Sequence, residues 1–314
     1  MKYLYLLPIF LFSLSLLSCG DDSVDEPVSI IEDEYTVLRR QLCEAFGLNP
    51  SDLDEDAFGA CWNDQFLVVS ALRITDSKLV VAAFDSVNNK QVINDFSIAA
   101  PKTITRPYYD QQVEYSLRYV VPRIIRIKEG FVCSVGARYI ADQDYSGQNY
   151  FDHTYGYFFN GTNLVCAKLE NVSANSTMTE WYENSCLLTD RNYTMCYTTD
   201  GEIKARSVEQ VSTTNVFPMA YDKFIKLSME TEDGLVGINI SSKRITEEAI
   251  TTEWCTRTGL PDTITTNARI TFSVQDQNSN LWIVQVDITD KDGTQYHYQL
   301  SINTSTGECL LTEV

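Results

Sequence analysis

Eight ring-bearing side chains fall within fifteen residues near the middle of this 314-residue chain: Tyr145, Tyr150, Phe151, His153, Tyr155, Tyr157, Phe158 and Phe159. Successive side chains of a strand point to opposite faces, so Phe151, His153, Tyr155, Tyr157 and Phe159 would share one face. Exposed, that face suits stacking on sugar rings, with phenol hydroxyls left for hydrogen bonds. Packed, the same rings are ordinary sheet interior, because aromatics favour strands. Tyr145, Tyr150, His153, Tyr155 and Tyr157 are the candidate ligand contacts, and the loop 142–149 is expected to face outward. Trp181-Tyr182 and Tyr108-Tyr109-Asp110 offer further rings.

Other chemistry is sparse. His153 and His297 are the two histidines, so any Ser-His-Asp or Cys-His machinery must use one of them, and neither accompanies a GxSxG or catalytic-Cys pattern. Glycine loops that cradle phosphates are absent. The 43 Asp and Glu against 24 Lys and Arg give a net charge of −19, which argues against nucleic acid as a partner. A glycosidase needs only two neighbouring carboxylates, and among 43 acids the sequence cannot locate such a pair.

Nine cysteines include Cys186 and Cys196, placed symmetrically about Arg191 in SCLLTDRNYTMCY. A hairpin turning at Asp190-Arg191-Asn192 would bring them opposite each other, so they are the candidate disulfide. Cys133 and Cys166 sit in apolar runs, where a free thiol is simply a small hydrophobe. No CxxC or Cys-His spacing suggests zinc. Calcium is the one ion with suitable residue types. Asp276-Gln277-Asn278-Ser279-Asn280, with Asp287 twelfth, alternates oxygen ligands, but Leu281 stands where the turn glycine belongs. It reads as a hairpin. Asp52-Leu53-Asp54-Glu55-Asp56 has the same alternation and reads as the start of a short helical turn beginning near Ser51. No cofactor is expected.

These residues need a scaffold. A helix is predicted over 34–46, with Tyr35, Leu38, Leu42 and Phe46 on one face, Gly47 as its cap and Pro50 as its stop. From residue 65 onward, short strands alternate with Gly/Asn/Asp turns, and no helices intervene. Five units are expected: 65–97, about 116–169, 184–208, 222–249 (turning at Asp233-Gly234 and Ser241-Ser242) and 268–314. The chain is therefore predicted to be all-β, built of repeated antiparallel meanders. The stretch DQNSNLWIVQVD resembles the Asp…Asn-Leu-Trp hairpin of β-propeller repeats, and AFDSVNNKQV and INTSTGECL resemble outer hairpins of such blades. That resemblance implies a propeller of five to seven blades. The alternative is two packed β-sandwich domains divided near 110–130.

The N-terminus supplies an address. Met1-Lys2, an apolar run Tyr3–Leu17 of roughly 15 residues, and Leu16-Leu17-Ser18-Cys19 follow in the order of a lipoprotein signal. This resembles the lipobox of bacterial lipoproteins, which implies a signal peptide at 1–18 and a diacylglycerol on Cys19. Gly20-Asp21-Asp22-Ser23 and the acids after it resemble the export signal of Bacteroidota surface lipoproteins, making 19–33 a solvated tether and 34–314 a single β-rich domain. Without the first 18 residues the net charge is −20. Asp22-Ser23-Val24, Asp85-Ser86-Val87 and Asp262-Thr263-Ile264 resemble the O-glycosylation sequon of the same bacteria. The expectation is a non-enzymatic binding protein anchored by lipid to the outer membrane, facing the cell surface or the periplasm. Its partner would be a glycan. A propeller-type glycan hydrolase or lyase, and a scaffold subunit docked on an outer-membrane protein, are the alternatives.

Overall fold

The computed structural model describes residues 34–108, 110–141, 150–169, 172–278 and 280–314. Helix α1 (Glu34–Phe46) forms where expected. It ends at Gly47, whose φ of 67° favours a residue without Cβ, and Leu48 N–H donates to the Cys43 carbonyl at 2.7 Å. A single 3-10 turn, Pro50–Asp52, follows, and the Asn49 side chain accepts from Ser51 N.

The acidic stretch expected to start a helical turn instead begins strand β1 (Leu53–Trp62). Asp54 is the reason. Its buried carboxylate accepts from the amides of Asp56 and Ala57, at 3.0 and 3.2 Å, and receives Lys102 Nζ at 2.8 Å. Those bonds hold an irregularity in register between Leu53 and Phe58, and Leu53, Ala57 and Phe58 turn inward.

Five antiparallel meanders follow, each with its strands in sequence order. The first is β1 with β2 (Phe66–Arg73), β3 (Lys78–Asp85) and β4 (Lys90–Ala99). The second has five strands: β5 (Thr103–Tyr108), β6 (Gln111–Ile127), β7 (Gly130–Ala141), β8 (Tyr150–Phe159) and β9 (Leu164–Leu169). The third is β10 (Thr177–Glu180), β11 (Ser185–Asp190), β12 (Tyr193–Thr198) and β13 (Ile203–Ser207). The fourth is β14 (Val216–Ala220), β15 (Lys223–Glu232), β16 (Leu235–Ile245) and β17 (Ile250–Gly259). The fifth is β18 (Arg269–Gln277), β19 (Leu281–Thr289), β20 (Gln295–Asn303) and β21 (Cys309–Glu313).

The residue pattern dictates these strands. Along β19 every second residue, Trp282, Val284, Val286 and Ile288, is buried, while Leu281, Gln285 and Thr289 are exposed. Each such side chain contributes roughly 1.5–3 kcal/mol by leaving water. FLVVSALR and KLVVAAFD lack the alternation because β2 and β3 are buried on both faces. Asp233 and Gly234, at φ 51° and 81°, make the tight turn between β15 and β16. The turn expected at Ser241-Ser242 is not there. Both serines lie buried inside β16, opposite Cys255 and Trp254 of β17, and Ser242 Oγ donates to Glu253 at 3.1 Å. A serine pair marks a turn only when its hydroxyls bond locally. Here a neighbouring strand supplies the partner.

The Asp85-Ser86-Val87 stretch, by contrast, leads from the end of β3 into a turn over 86–89. Buried Asp85 accepts the amides of Val87 and Asn88, both at 3.0 Å, and side-chain amides of Gln65 and Asn88, while Ser86 Oγ donates to Gln65 O at 2.7 Å.

The hairpin of β11 and β12 corrects the disulfide expectation. It turns on Arg191-Asn192, with Asp190 opposite Tyr193. Its axis therefore falls between residues 191 and 192. Cys186 stands opposite Tyr197 and Cys196 opposite Leu187. A one-residue offset sends the two side chains to opposite faces of the hairpin. Both are free thiols with no exposed surface. Burial pushes both up in pKa, Cys196 to about 12.

The chain divides into two compact units, and the divisions fall inside β6, β7, β8 and β9 and between residues 175 and 176. One unit holds residues up to 124 with 133–156 and 167–175, and packs Cys43, Leu53, Phe58, Val69, Ala71 and Val80 together. The other holds 125–132, 157–166 and 176–314. It has one cluster around Trp181, Leu187, Cys196 and Phe224, and another around Ile238, Ile240, Val284, Leu300 and Ile302. Among the described residues no helix is long and apolar enough to cross a membrane.

Candidate functional site

Strands β7 and β8 carry the ring-rich segment, and alternation sorts it onto two faces. Tyr150, Asp152 and Thr154 point one way, and Phe151, His153 and Tyr155 the other.

Phe151 is the centre of the odd-numbered face. Its ring lies 6° from parallel to that of Tyr139, with centroids 5.0 Å apart, and meets Tyr115 edge-on at 5.0 Å. The guanidinium carbon of Arg106 sits 4.2 Å from the Phe151 centroid. Register explains why. In the β5–β6 ladder Ile104 faces Tyr115 and Arg106 faces Val113, so Arg106 projects to the side of the sheet that carries Tyr115. His153 joins the group, 5.3 Å from Phe151 and 5.5 Å from Tyr139. Tyr139 is fully buried, and its hydroxyl donates to Pro101 O at 3.1 Å. Burial, and then Tyr155 close by, push that phenol well above its ordinary pKa. Phe151, His153 and Tyr155 remain partly exposed.

The even-numbered face is a clamp. Arg138 Nε and a terminal nitrogen donate to the two oxygens of Asp152 at 2.8 and 2.9 Å. Asp152 also accepts the amide of Ala174 at 2.8 Å, and Thr154 donates to Val172 O at 2.6 Å. Segment 172–175 is thereby tied to the sheet. Gly136 permits the approach, because a Cβ there would fall 2.4 Å from the Ala174 Cβ. The Arg138 guanidinium carbon lies 4.4 Å from the centroid of Tyr150, whose side chain is largely exposed.

Electrostatics follow from this packing. Burial lowers the His153 pKa, and the nearby Lys168 and Arg106 add to the effect against an opposing pull from Asp152. A neutral imidazole near pH 7 both donates and accepts a hydrogen bond. Asp152 is taken up by Arg138 and the Ala174 amide. The group therefore offers aromatic rings, an imidazole and a guanidinium.

The sequence-predicted residues distribute unevenly. His153 and Tyr155 come to this group, while Tyr150 lies on the opposite face of β8 against Arg138. Tyr157 does not: it is 1 % exposed and is core, as is its neighbour Phe158, so the expected continuous strip ends at Tyr155. Tyr145 and Cys19 lie outside the described residues, as do Tyr109 and the Tyr108 side chain. Trp181 belongs to the other unit's core, donating from Nε1 to Tyr221 O at 3.1 Å. Arg106, Tyr115, Arg138 and Tyr139 were not singled out. Tyr139 had a local signal, an aromatic in a strand beside the ring-rich segment. Arg106 had none, because only the register of β5 on β6 aims it.

His297 is half-exposed on β20, opposite Asp287, with Nδ1 2.7 Å from Oδ1. His297 and Gln285 hold the Asp287 carboxyl below its ordinary range. Of the possible calcium loop, Asp276 and Gln277 face Ile283 and Trp282 in the β18–β19 ladder and Asp287 faces Thr271, while Ser279 lies outside the described residues. Among the described residues no group of three His, Cys, Asp or Glu is placed to hold a metal. Neither the protein-family models nor the curated proteins searched with this chain give a match.

Proposed function

We propose that this chain is a lipid-anchored surface protein of a Bacteroidota-type outer membrane, and that it binds a glycan at the Phe151–His153 group. The observation that carries the reading is the assembly of Phe151, His153 and Tyr155, partly exposed, beside Arg106. Sugar rings stack on such faces and take hydrogen bonds from imidazole and phenol. The rigid backing of Tyr139 and the Arg138–Asp152 clamp fit a preorganised site, which binds without first paying for order.

Five consecutive meanders of four or five strands support a five-bladed propeller as the scaffold. The anchor rests on Leu16-Leu17-Ser18-Cys19 and the acids that follow. Metabolic labelling with a palmitate analogue should mark the parent and not Cys19→Ala, and label on the variant would refute the anchor.

The binding test is a glycan array probed with the full chain in detergent beside Phe151→Ala. Specific retention that the variant loses is expected. Retention unchanged in the variant, or none by the parent, would refute the reading.

A further inference from the structure

The ring group sits in the part of the chain where the charge reverses. Overall, 24 Lys and Arg face 43 Asp and Glu. Between residues 102 and 138, seven Lys and Arg face three Asp and Glu. Most of these cations have local work. Lys102 is paired with buried Asp54, and Arg138 with Asp152. Arg106 differs. Among the described residues it forms no salt bridge, and its guanidinium rests on Phe151 at 4.2 Å. It is also exposed. Asp152, on the opposite face of β8, is already matched by Arg138.

Building on the glycan reading, we propose that the ligand of the Phe151–His153 group is an anionic saccharide, whose carboxylate pairs with Arg106 while a sugar ring meets the exposed edge of Phe151, His153 and Tyr155.

Three physical arguments support this. A guanidinium over an aromatic ring keeps N–H donors available, and their fork matches a carboxylate's two oxygens. Arg106 has no carboxylate partner among the described residues, so it brings an uncompensated charge to the edge of the ring group. The opposing field of the whole chain is also short-ranged in its effect. The Debye length is about 8 Å at physiological salt, so the distant acids are screened while a contact ion pair is not. The rival explanation is that Arg106 merely covers Phe151. A covering role needs the guanidinium's stem and plane but makes no distinction between charged and neutral ligands.

The test uses the full chain in detergent and calorimetric titration with hexamers of galacturonate, glucuronate and mannuronate, each beside its carboxyl-reduced neutral counterpart. At least one uronate should bind about tenfold or more tightly than its reduced form. Arg106→Gln should weaken that uronate about tenfold, leave the reduced form within about twofold, and leave the melting temperature unchanged. Raising the salt concentration should weaken the uronate and spare the neutral form. If neutral glycans bind as well as uronates, or Arg106→Gln weakens both alike, the anionic ligand is refuted and the glycan reading stands. If no saccharide of either kind binds, both fall.

Discussion

Arg138 and Asp152 join β7 to β8 through two parallel hydrogen bonds, at 2.8 and 2.9 Å, and do so where the sheet meets segment 172–175. Their side chains are 17 % and 5 % exposed, so the pair is largely out of water. Removing one partner of such a pair leaves the other charge stranded. Asp152→Ala, which also leaves the Ala174 amide without its acceptor, is expected to cost about 3 kcal/mol. The double variant Asp152→Leu/Arg138→Met should lose less, because an apolar pair strands no charge. Urea denaturation measures both. A single variant within about 0.5 kcal/mol of the parent would contradict the clamp.

His153 predicts a pH dependence with a definite sign. Burial first, then Lys168 and Arg106, lower its pKa from the ordinary 6.5. The folded chain thus holds this proton less tightly than the unfolded chain. As pH falls below 6.5, the unfolded state protonates first, and the stability this residue contributes is lost until the folded imidazole also titrates. His153→Gln should flatten the fall in urea midpoint between about pH 7.5 and 5.5 relative to the parent. Equal falls in parent and variant would contradict the assignment.

The thiols of Cys186 and Cys196 are free, fully buried and hard to ionise. Neither should react with a thiol reagent in the native protein, and both should react on unfolding. Reducing agent should leave the melting temperature unchanged, whereas loss of a disulfide would typically cost about 2–4 kcal/mol.

Gly136→Ala would set a Cβ 2.4 Å from the Ala174 Cβ and 2.5 Å from its Cα. The expected cost is about 1–3 kcal/mol of stability. Ala174→Gly should not restore it fully, since the Cα clash remains. A neutral Gly136→Ala would show that segment 172–175 packs elsewhere.

Physical reasons separate what the sequence reveals from what it hides. The last meander was legible because β18 to β20 alternate apolar and polar residues and its strands are divided by Asn, Asp and Gly turns. The start of β1 was hidden because the acids that resemble a helix start serve instead to cap an irregular strand through Asp54. Ser241-Ser242 misled because the partner for Ser242 comes from another strand. Phe151, His153 and Tyr155 announced themselves by local crowding. Arg106 and Tyr115 reach them only through register, which a single chain does not display. Tyr157 shares their alternation but falls where the strand enters the core. The disulfide failed on half a residue of hairpin symmetry.

His153 and His297 are the only histidines in the chain, so the imidazole region of a nitrogen–proton NMR spectrum carries two sets of signals. The most direct measurement is to titrate the full chain in detergent with the uronate hexamer it binds and to follow both sets, assigned by His153→Gln and His297→Gln. A site at the Phe151 group predicts that the His153 signals move with saturation and the His297 signals stay. Movement at His297 alone, or binding with neither set moving, would contradict it.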